Sequence, residues 1–509
     1  MAVCSGSGSD GKLKAVNMRS PHDASEARAV TVVTRRLALA LAITAVVSCQ
    51  ALGQRAPATP NEPWIPDHST LERRSVSVPT HEVKLDEEHV YSLGELIDIA
   101  ESNSPTTQAA WNRAKLAAAS VGIAESDLYP TIIVTAAGRD YVNPQLFGQS
   151  FALQDIGTFE TAVHLTYTLV DFGARGTEVT AAKARLVAAD LSFNNEHLIL
   201  IRRVSQSYFA LLEAKGLREA AEVSLSDAKV AEAAAQERRK NGLATVPEVL
   251  EAEAATAKAN YQLQSSLGAE QVETGHLAQA IAASPLSALK VQALDQLKIP
   301  DRLDQSVRDA IETAFKDRPD LQAEEARVRA ARTEVRHAYS SYYPSISFEG
   351  SKGWLRAFGE QRGYPGLYGK TDTYDATIGL RWTVFDGLLR ENRVKTAKAE
   401  EKVATEEVRN RQDEITDQVW TDYANTQTAL RQSEAATALL TASKESYSAA
   451  LESYKDGVRN FLDVLAAEDA LAQARAIDVT ARTNVLQSFS DLAFRTGDLL
   501  ANHPKGKNP

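Results

Sequence analysis

Residues 388–456 read LLRENRVKTAKAEEKVATEEVRNRQDEITDQVWTDYANTQTALRQSEAATALLTASKESYSAALESYKD, a run of 69 residues without glycine or proline. The run is dense in Ala, Glu, Gln, Lys and Arg, which all favour helices. At the rise of an α-helix it predicts a single helix about 100 Å long. Helices of globular proteins usually span about 8 to 20 residues, so this length indicates an elongated body.

The apolar residues in the second half of this run follow a coiled-coil seam. They recur in steps of seven, four, three and four residues, at Leu440, Tyr447, Leu451, Tyr454 and Val458. A single helix cannot bury such a stripe, so it requires partner helices of similar length. Residues 176–242 offer one partner, with Gly216 as the internal breaker. Its apolar positions keep the same rhythm, at Val187, Leu191, Leu198, Ile201, Tyr208 and Leu212.

The composition fits a helical, extended protein better than a compact enzyme. Of the 509 residues, 6% are aromatic and 24% are charged, and the net charge is −11. Such an acidic body is a poor binder of nucleic acid. The sequence has no metal-ligand spacing among its His residues, no glycine-rich phosphate loop and no nucleophile elbow. We therefore expect no enzymatic activity, no metal and no cofactor.

The first 49 residues resemble a secretory signal peptide. Two arginines precede an apolar run over residues 37–48, which is too short to span a membrane as a mature helix. Met18 offers an alternative start to Met1. Residues 50–90 are polar and rich in proline, and predict an extended N-terminal segment. No later segment holds eighteen continuous apolar residues, so no further membrane-spanning helix is predicted.

The end of the signal peptide can be interpreted in two ways. Residues 46–49, Val-Val-Ser-Cys, are similar to a bacterial lipobox, which would make Cys49 a lipidated N-terminus. Residues 51–53, Ala-Leu-Gly, instead offer an ordinary cleavage site between small residues. In either case the mature chain retains one cysteine at most, which excludes an internal disulfide.

The rest of the chain is a tandem duplication. Residues 92–130 align with residues 306–344 without a gap and share 13 identities in 39 positions. One inserted residue then pairs Asp171 with Asp386 and Gly242 with Gly457. An internal repeat of this length indicates two copies of one structural unit. The predicted divisions are a first repeat over 91–283, a linker over 284–305, a second repeat over 306–498 and a C-terminal tail over 499–509.

Each repeat predicts the same order of elements. A helix ends at a Tyr-Pro pair, and a strand, a polar loop and a return strand follow. A long helix, a glycine-containing turn and a return helix complete the unit. The predicted ranges are first helices over 92–127 and 306–341, loops over 143–157 and 355–372, return strands over 159–169 and 374–384, and return helices over 247–283 and 461–497.

The return strands alternate strictly between apolar and polar residues. One face holds Phe159, Thr161, Val163, Leu165, Tyr167 and Leu169 in the first copy and Tyr374, Ala376, Ile378, Leu380, Trp382 and Val384 in the second. A strand of about ten residues with one apolar and one polar face is typical of a transmembrane barrel with a wet lumen. The alternative is an amphipathic hairpin packed on helices. The export signal and the aromatic residues near the strand ends favour the barrel.

This order of elements, given twice, resembles that of the TolC-like outer-membrane efflux channels. The resemblance covers about residues 90–500 and is sharpest at two strand-to-helix motifs, Leu-Val-Asp-Phe-Gly at residues 169–173 and Val-Phe-Asp-Gly at residues 384–387. The second tip, residues 454–468, matches equally well.

The resemblance implies a mainly α-helical protein with a membrane β-barrel. In the family, three chains give four strands each to a twelve-stranded barrel, and their helices form a coiled-coil tunnel through the periplasm. It therefore implies a homotrimer in the bacterial outer membrane, in contact with its lipid. The tunnel would meet a periplasmic adaptor protein and an inner-membrane transporter.

The resemblance also implies a gate at the periplasmic end of the tunnel. Arg459 and Tyr454 match the family's gate pair, and Glu248 matches their acidic partner, with Glu in place of Asp. Asp463 matches an acidic ring, whereas Ala466 stands at the family's further acidic position. This departure suggests a single ring and a less cation-selective aperture. The alternative is that all of these are solvated surface residues.

Two further sets of residues follow from the same resemblance. The tips Gly242-Leu243 and Gly457-Val458 match the family's docking points for the adaptor, although a helix reversal also requires glycine there. Asp171-Phe172-Gly173 spells a kinase triplet without the rest of the kinase set. We therefore assign Asp171, Gly173, Asp386 and Gly387 to the strand–helix corners, where they make the bend.

Three functions remain open at this point. The favoured one is a passive exit duct for drugs or small toxic compounds, driven by an inner-membrane pump through an adaptor. A duct of the same architecture for secreted polypeptides is the first alternative. A periplasmic coiled-coil scaffold is the alternative of another class, and the alternating strands argue against it.

Overall fold

The computed structural model describes residues 83, 85–86, 88–147, 150–287, 289–361 and 364–498, all within the unit of residues 81–509. The predicted signal peptide and its Cys49 lie outside the described residues. So do most of the N-terminal extended segment and the C-terminal tail after residue 498.

The two repeats contain the same elements in the same order. The described helices are α1 (Leu93–Asn103), α2 (Pro105–Ser126), α3 (Ala174–Lys240), α4 (Val246–Ala280), α5 (Val307–Asp317), α6 (Pro319–Ser340), α7 (Leu389–Lys455) and α8 (Phe461–Thr496). The described strands are β1 (Val90–Tyr91), β2 (Thr131–Phe147), β3 (Ser150–Val170), β4 (Lys290–Val291), β5 (Ser345–Gln361) and β6 (Tyr364–Arg381). A 3₁₀ turn, Leu294–Gln296, lies between β4 and α5.

The two long helices are confirmed. Helices α3 and α7 contain 67 residues each, which corresponds to about 100 Å. Helix α3 packs on α4 and α8, and α7 packs on α8. Tyr447, Leu451 and Tyr454 of the predicted seam are buried, whereas Val458 is exposed because α7 ends at Lys455 and the chain has already turned.

The prediction of one continuous first helix in each repeat is wrong. The helix over 92–127 is broken between Asn103 and Pro105, and the helix over 306–341 is broken before Pro319. The residue before a proline is driven out of the helical region by contact with the proline ring. Accordingly, Ser104 has φ −66° and ψ 121°, and Arg318 has φ −72° and ψ 120°. Each proline then starts a new helix, where its missing N–H is not needed.

The strands form an antiparallel sheet in the order β2-β3-β5-β6, so the two hairpins lie side by side. Strand β3 of the first repeat pairs with β5 of the second, and Val163 lies opposite Lys352. A separate parallel pair, β1 with β4, connects the start of the first repeat to the linker.

The predicted loops over 143–157 and 355–372 are wrong, because most of these residues belong to the hairpins. Ladder pairing continues to Phe147↔Ser150 in the first hairpin and to Gln361↔Tyr364 in the second. Glycine and polar side chains suggested a loop, but backbone pairing in a ladder does not require apolar side chains. The second return strand also ends earlier than predicted, at Arg381.

Among the described residues, no helix is both long enough and apolar enough to cross a membrane.

Gly216 does not interrupt α3, although the sequence marks it as the breaker of the run. A Cβ atom at this position would lie 2.6 Å from Cγ1 of Val479 on α8. The glycine therefore allows α3 and α8 to approach each other closely at the junction between the two repeats.

Gly216→Ala is expected to lower the free energy of unfolding by up to about 2 kcal/mol. Alanine favours a helix by about 1 kcal/mol over glycine, but overpacking a tight contact costs about 1–3 kcal/mol. Thermal unfolding of the purified protein measures the net effect. Gly268→Ala on α4 is the matched control, because a Cβ there meets no atom within 4 Å. A rise in Tm for Gly216→Ala as large as that for Gly268→Ala would contradict the close contact.

Candidate functional site

The turns between each long helix and its return helix lie at glycines with positive φ. Gly242 and Gly457 both have φ 76°, a left-handed conformation that glycine adopts without a steric penalty. Leu243 and Val458, which follow them, are 65% and 79% exposed. Each turn therefore presents an apolar side chain at its surface.

Both return helices begin with side-chain caps. In α4, the Glu248 carboxylate accepts hydrogen bonds from the Thr245 N–H and hydroxyl at 3.3 and 3.0 Å, which completes a capping box. In α8, Asn460 Oδ1 accepts a hydrogen bond from the N–H of Asp463 at 2.9 Å. The capped helix starts therefore place Glu248 and Asp463 in the first helical turn.

The structure brings Tyr454 and Glu248 together. The Tyr454 side chain is only 1% exposed, and its hydroxyl donates to Glu248 Oε2 at 3.3 Å. Its ring lies 5.2 Å from that of Phe461. Because Tyr454 belongs to α7 and Glu248 to α4, this contact links the two helical hairpins at their ends.

Arg238 at the end of α3 completes this link, and the sequence analysis did not single it out. Its guanidinium donates to the backbone carbonyls of Tyr454 at 2.6 Å and of Lys455 at 3.1 Å. It also lies 4.7 Å above the Tyr454 ring, a favourable cation–π arrangement. We call Arg238, Glu248 and Tyr454 the tip link.

Burial and the neighbouring Glu248 keep the Tyr454 hydroxyl protonated, although Arg238 acts in the opposite direction. Burial raises the pKa of Tyr454, and the negative charge of Glu248 raises it further. A protonated phenol can donate a hydrogen bond to a carboxylate at any physiological pH. The tyrosine is therefore a permanent donor to Glu248.

Arg459 and Asp463 lie apart from this link. Both are exposed, and within the described residues the Arg459 side chain has no hydrogen bond or ion pair. The contact between Arg459 and Glu248 that the family resemblance implies is not formed within one chain. The Asp463 side chain faces solvent at the start of α8. Of the expected gate residues, Tyr454 is therefore in contact with Glu248. Arg238 is an additional residue of the tip link.

A polar cluster lies further from the turns, between α3 and α8. Arg475 pairs with Asp227 at 2.7 Å, and the Tyr447 hydroxyl donates to the Asp227 carbonyl at 3.1 Å. Glu468 is 9% exposed, and its Oε2 is buried without a hydrogen-bond partner among the described residues. Burial raises the pKa of Glu468 to about 7, helped by Asp469 and Asp227.

The two strand–helix corners contain the same ion pair between an aspartate and an arginine four residues later. Although partial burial of the Asp171 carboxylate would raise its pKa, hydrogen bonds from Arg175 and Gly173 lower the pKa below its usual value. The Asp171 Oδ2–Arg175 Nε distance is 2.7 Å, as is that between Asp386 Oδ2 and Arg390 Nε. Each aspartate also accepts a hydrogen bond from a backbone N–H in the first turn of the long helix that follows it, that of Arg175 or Arg390.

Glycines with positive φ make the bends at these corners. Gly173 has φ 93° and Gly387 has φ 69°, so each turns the chain from the sheet into the long helix. Among the described residues, no group of three or more His, Cys, Asp or Glu side chains is placed to hold a metal ion.

Residues 96–283 and 310–498 match the family described as outer membrane efflux protein. Protein CyaE of Bordetella pertussis is 28% identical over 315 residues, which is 61% of this chain and 63% of that relative, slightly less than two thirds of its length. Outer membrane protein OprJ of Pseudomonas aeruginosa is 24% identical over 387 residues, or 74% of this chain and 78% of OprJ.

The fold is also similar to that of a solved outer membrane protein, VceC of Vibrio cholerae. The TM-score is 0.67 at 19% identity, and the similarity covers 80% of this chain and 96% of VceC. At this identity the likeness concerns the fold alone. The family match, in contrast, includes both repeats and most of the sequence, and from it we conclude that the chain belongs to the outer membrane efflux protein family.

Proposed function

We propose that three copies of this chain form a passive exit duct in the bacterial outer membrane. The duct carries drugs or small toxic compounds out of the periplasm, and its helices form the periplasmic tunnel. A periplasmic adaptor protein recruits it to an inner-membrane transporter. The observation that carries the proposal is a four-stranded sheet with an exposed apolar face, attached to helices of 67 residues.

The exposed apolar side chains of the sheet support insertion into lipid. Ile132, Val134, Ile378 and Leu380 are 64%, 75%, 70% and 66% exposed. The register places them all on the face that also holds Val163 and Leu165. The opposite face carries Glu160, His164, Thr166, Glu349 and Asp375. An outward apolar face and a polar inner face are the pattern of an outer-membrane barrel.

The free edges of the sheet support the trimer. In the described residues, β2 and β6 each pair on one side only. An unpaired edge leaves backbone N–H and C=O groups without partners, which lipid does not tolerate. If β6 of one copy pairs with β2 of the next, three copies close a barrel of twelve strands and remove every edge.

The tips then lie at the periplasmic entrance of the duct. The tip link holds the hairpins together and keeps the entrance narrow. The exposed Arg459 and Asp463 line the aperture, where Arg459 contacts a second copy. Leu243 and Val458 form the docking points for the adaptor.

The protein is expected to extract from membranes only with detergent and to behave as a trimer. Native mass spectrometry should give three copies per particle, and planar bilayers should show discrete conducting events. Carbonate and high-salt washes serve as controls, because they release peripheral proteins but not barrels. A monomer released by salt would overturn the proposal and would favour the periplasmic scaffold.

A further inference from the structure

Basic side chains gather at one level of the mainly apolar face of the sheet. Arg356 of β5 lies opposite Phe159 of β3 on one side and Lys370 of β6 on the other. Residues directly opposite in an antiparallel pair project from the same face. Arg356 and Lys370, which we call the basic pair, therefore belong to the face that the proposed function places against lipid.

The basic pair lies where this face would leave the hydrocarbon. Arg356 lies ten residues further along β5 than Ile346, which is near the helices. They span about 33 Å along the strand, or about 25 Å across the membrane at a tilt of about 40°. This is the height of the apolar band of an outer-membrane barrel, about 25 Å. Since the hairpin turns are at the end opposite the helices, this level is the outer interface.

Exposed aromatic side chains mark the same level. Trp354, Phe358 and Tyr368 are 55%, 55% and 67% exposed, and the register places them on the same face. Aromatic girdles of this kind flank the apolar band of membrane barrels at both interfaces. The basic pair thus lies at the depth of lipid headgroups.

Among the described side chains of this face, cations outnumber acidic residues by three to two. Like charges directly opposite each other destabilise a strand pair, and a third cation, Lys352, lies four residues from Arg356 on the same face. Among described side chains, the acidic residues of this face are Asp372 and Asp140. Within the described residues, none of the three cations has an ion pair with them. An anion bound between Arg356 and Lys370 would relieve the repulsion between these two like charges.

We propose that the basic pair binds the phosphate groups of a phosphorylated lipid in the outer leaflet. Arginine forms paired hydrogen bonds with phosphate through its planar guanidinium, and lysine adds a second charge. The flexible Lys352 side chain can extend its ammonium along the strand toward the same headgroup. The inference rests on the proposed function, because it requires this face to lie in the membrane.

Native mass spectrometry of the detergent-solubilised trimer tests the site. The probes are diphosphorylated lipid A and, for comparison, a neutral galactosyl diacylglycerol. The wild type should retain lipid A preferentially, with up to three molecules per trimer. Each basic residue near an anionic lipid surface strengthens binding about fivefold, so Arg356→Gln combined with Lys370→Gln should weaken it about thirtyfold. Excess inorganic phosphate should not displace the lipid, whose chains also contact the apolar face.

Arg139→Gln is the matched control. Arg139 lies opposite Thr158, one residue from Phe159, so it is at the same level but on the opposite face. Equal weakening by this variant and by the double variant would overturn the inference, as would equal retention of the neutral lipid. Loss of the trimer in the double variant would also overturn it, because the pair would then serve assembly. Failure of the wild type to insert and conduct would instead reject the proposed function itself.

Discussion

Tyr454→Phe combined with Arg238→Gln is expected to raise the open fraction of the channel more than a hundredfold and thus its mean conductance in planar bilayers. The double variant removes the hydroxyl that donates to Glu248 and the guanidinium that holds the end of α7. If each copy loses about 1 kcal/mol of closed-state stability, the trimer loses about 3 kcal/mol, which gives this factor. The ring of Tyr454 is retained as Phe, so the packing against Phe461 remains.

Two exposed neighbours provide the matched control. Arg239 adjoins Arg238 on α3 and is exposed, and Tyr261 on α4 is 74% exposed. Arg239→Gln combined with Tyr261→Phe makes the same chemical changes outside the tip link and should leave conductance unchanged. Native mass spectrometry confirms that each variant remains a trimer. Wild-type conductance in the Tyr454 and Arg238 variant would show that the constriction lies elsewhere.

Arg459→Ala separates the contacts within one chain from those between copies. In a single chain the Arg459 side chain forms no hydrogen bond or ion pair with Tyr454 or Glu248. A rise in conductance from this variant would therefore mean that Arg459 acts on a second copy, as the proposed function has it. Because Arg459→Ala and Tyr454→Phe would both remove a partner of Glu248, their effects are expected to be coupled and not simply additive.

The long helices could be predicted because their signal is contained in local sequence. Residues 388–456 form a run without glycine or proline, and their composition favours a helix. Gly457 then explains why this helix ends at Lys455. The break at Ser104 was also present in the sequence, as Pro105 and its repeat Pro319. The two prolines that align the repeats therefore also divide the first helix of each repeat.

The hairpins and the tip link depend on contacts between distant residues. Strand pairing out to Phe147 is set by the partner strand, which the local composition does not reveal. Glu248 was identified through the family resemblance, and its hydrogen bond to Tyr454 is formed. Arg238 was missed because it binds backbone carbonyls more than 200 residues away, and a carbonyl acceptor has no sequence signature. The basic last turn of α3, residues 238–240, was the one local signal.

Glu468→Gln is expected to stabilise the protein above neutral pH. The carboxyl group is buried in α8, and its negative form lies near those of Asp469 and Asp227. Lys258 and Arg475 offset this repulsion only partly, and Tyr447 of α7 faces the same carboxyl. Burying a charge without full pairing destabilises the folded state. Glutamine keeps the size and the hydrogen-bonding capacity of the protonated acid without the charge.

The pH window follows from the direction of the shift. The pKa of Glu468 is about 7 in the folded protein, against 4.5 for an unperturbed glutamate. The folded state therefore binds this proton more tightly than the unfolded state does. The resulting stability is fully present below pH 4.5 and is lost as the pH rises through about 7. The difference between the two pKa values corresponds to about 3 kcal/mol per chain at most.

Thermal unfolding of the detergent-solubilised protein between pH 4 and pH 8.5 tests this expectation. As the pH rises from about 4.5 to 7.5, the Tm of the wild type should fall below that of Glu468→Gln. At the acidic end of the range the two Tm values should be equal. Glu253→Gln is the matched control, because Glu253 is the equivalent residue of the first repeat and is exposed on α4. It should follow the wild-type curve. If Glu468→Gln also runs parallel to the wild type at every pH, Glu468 is ionised without a penalty, and its carboxylate must find a partner in the assembled trimer that a single chain does not supply.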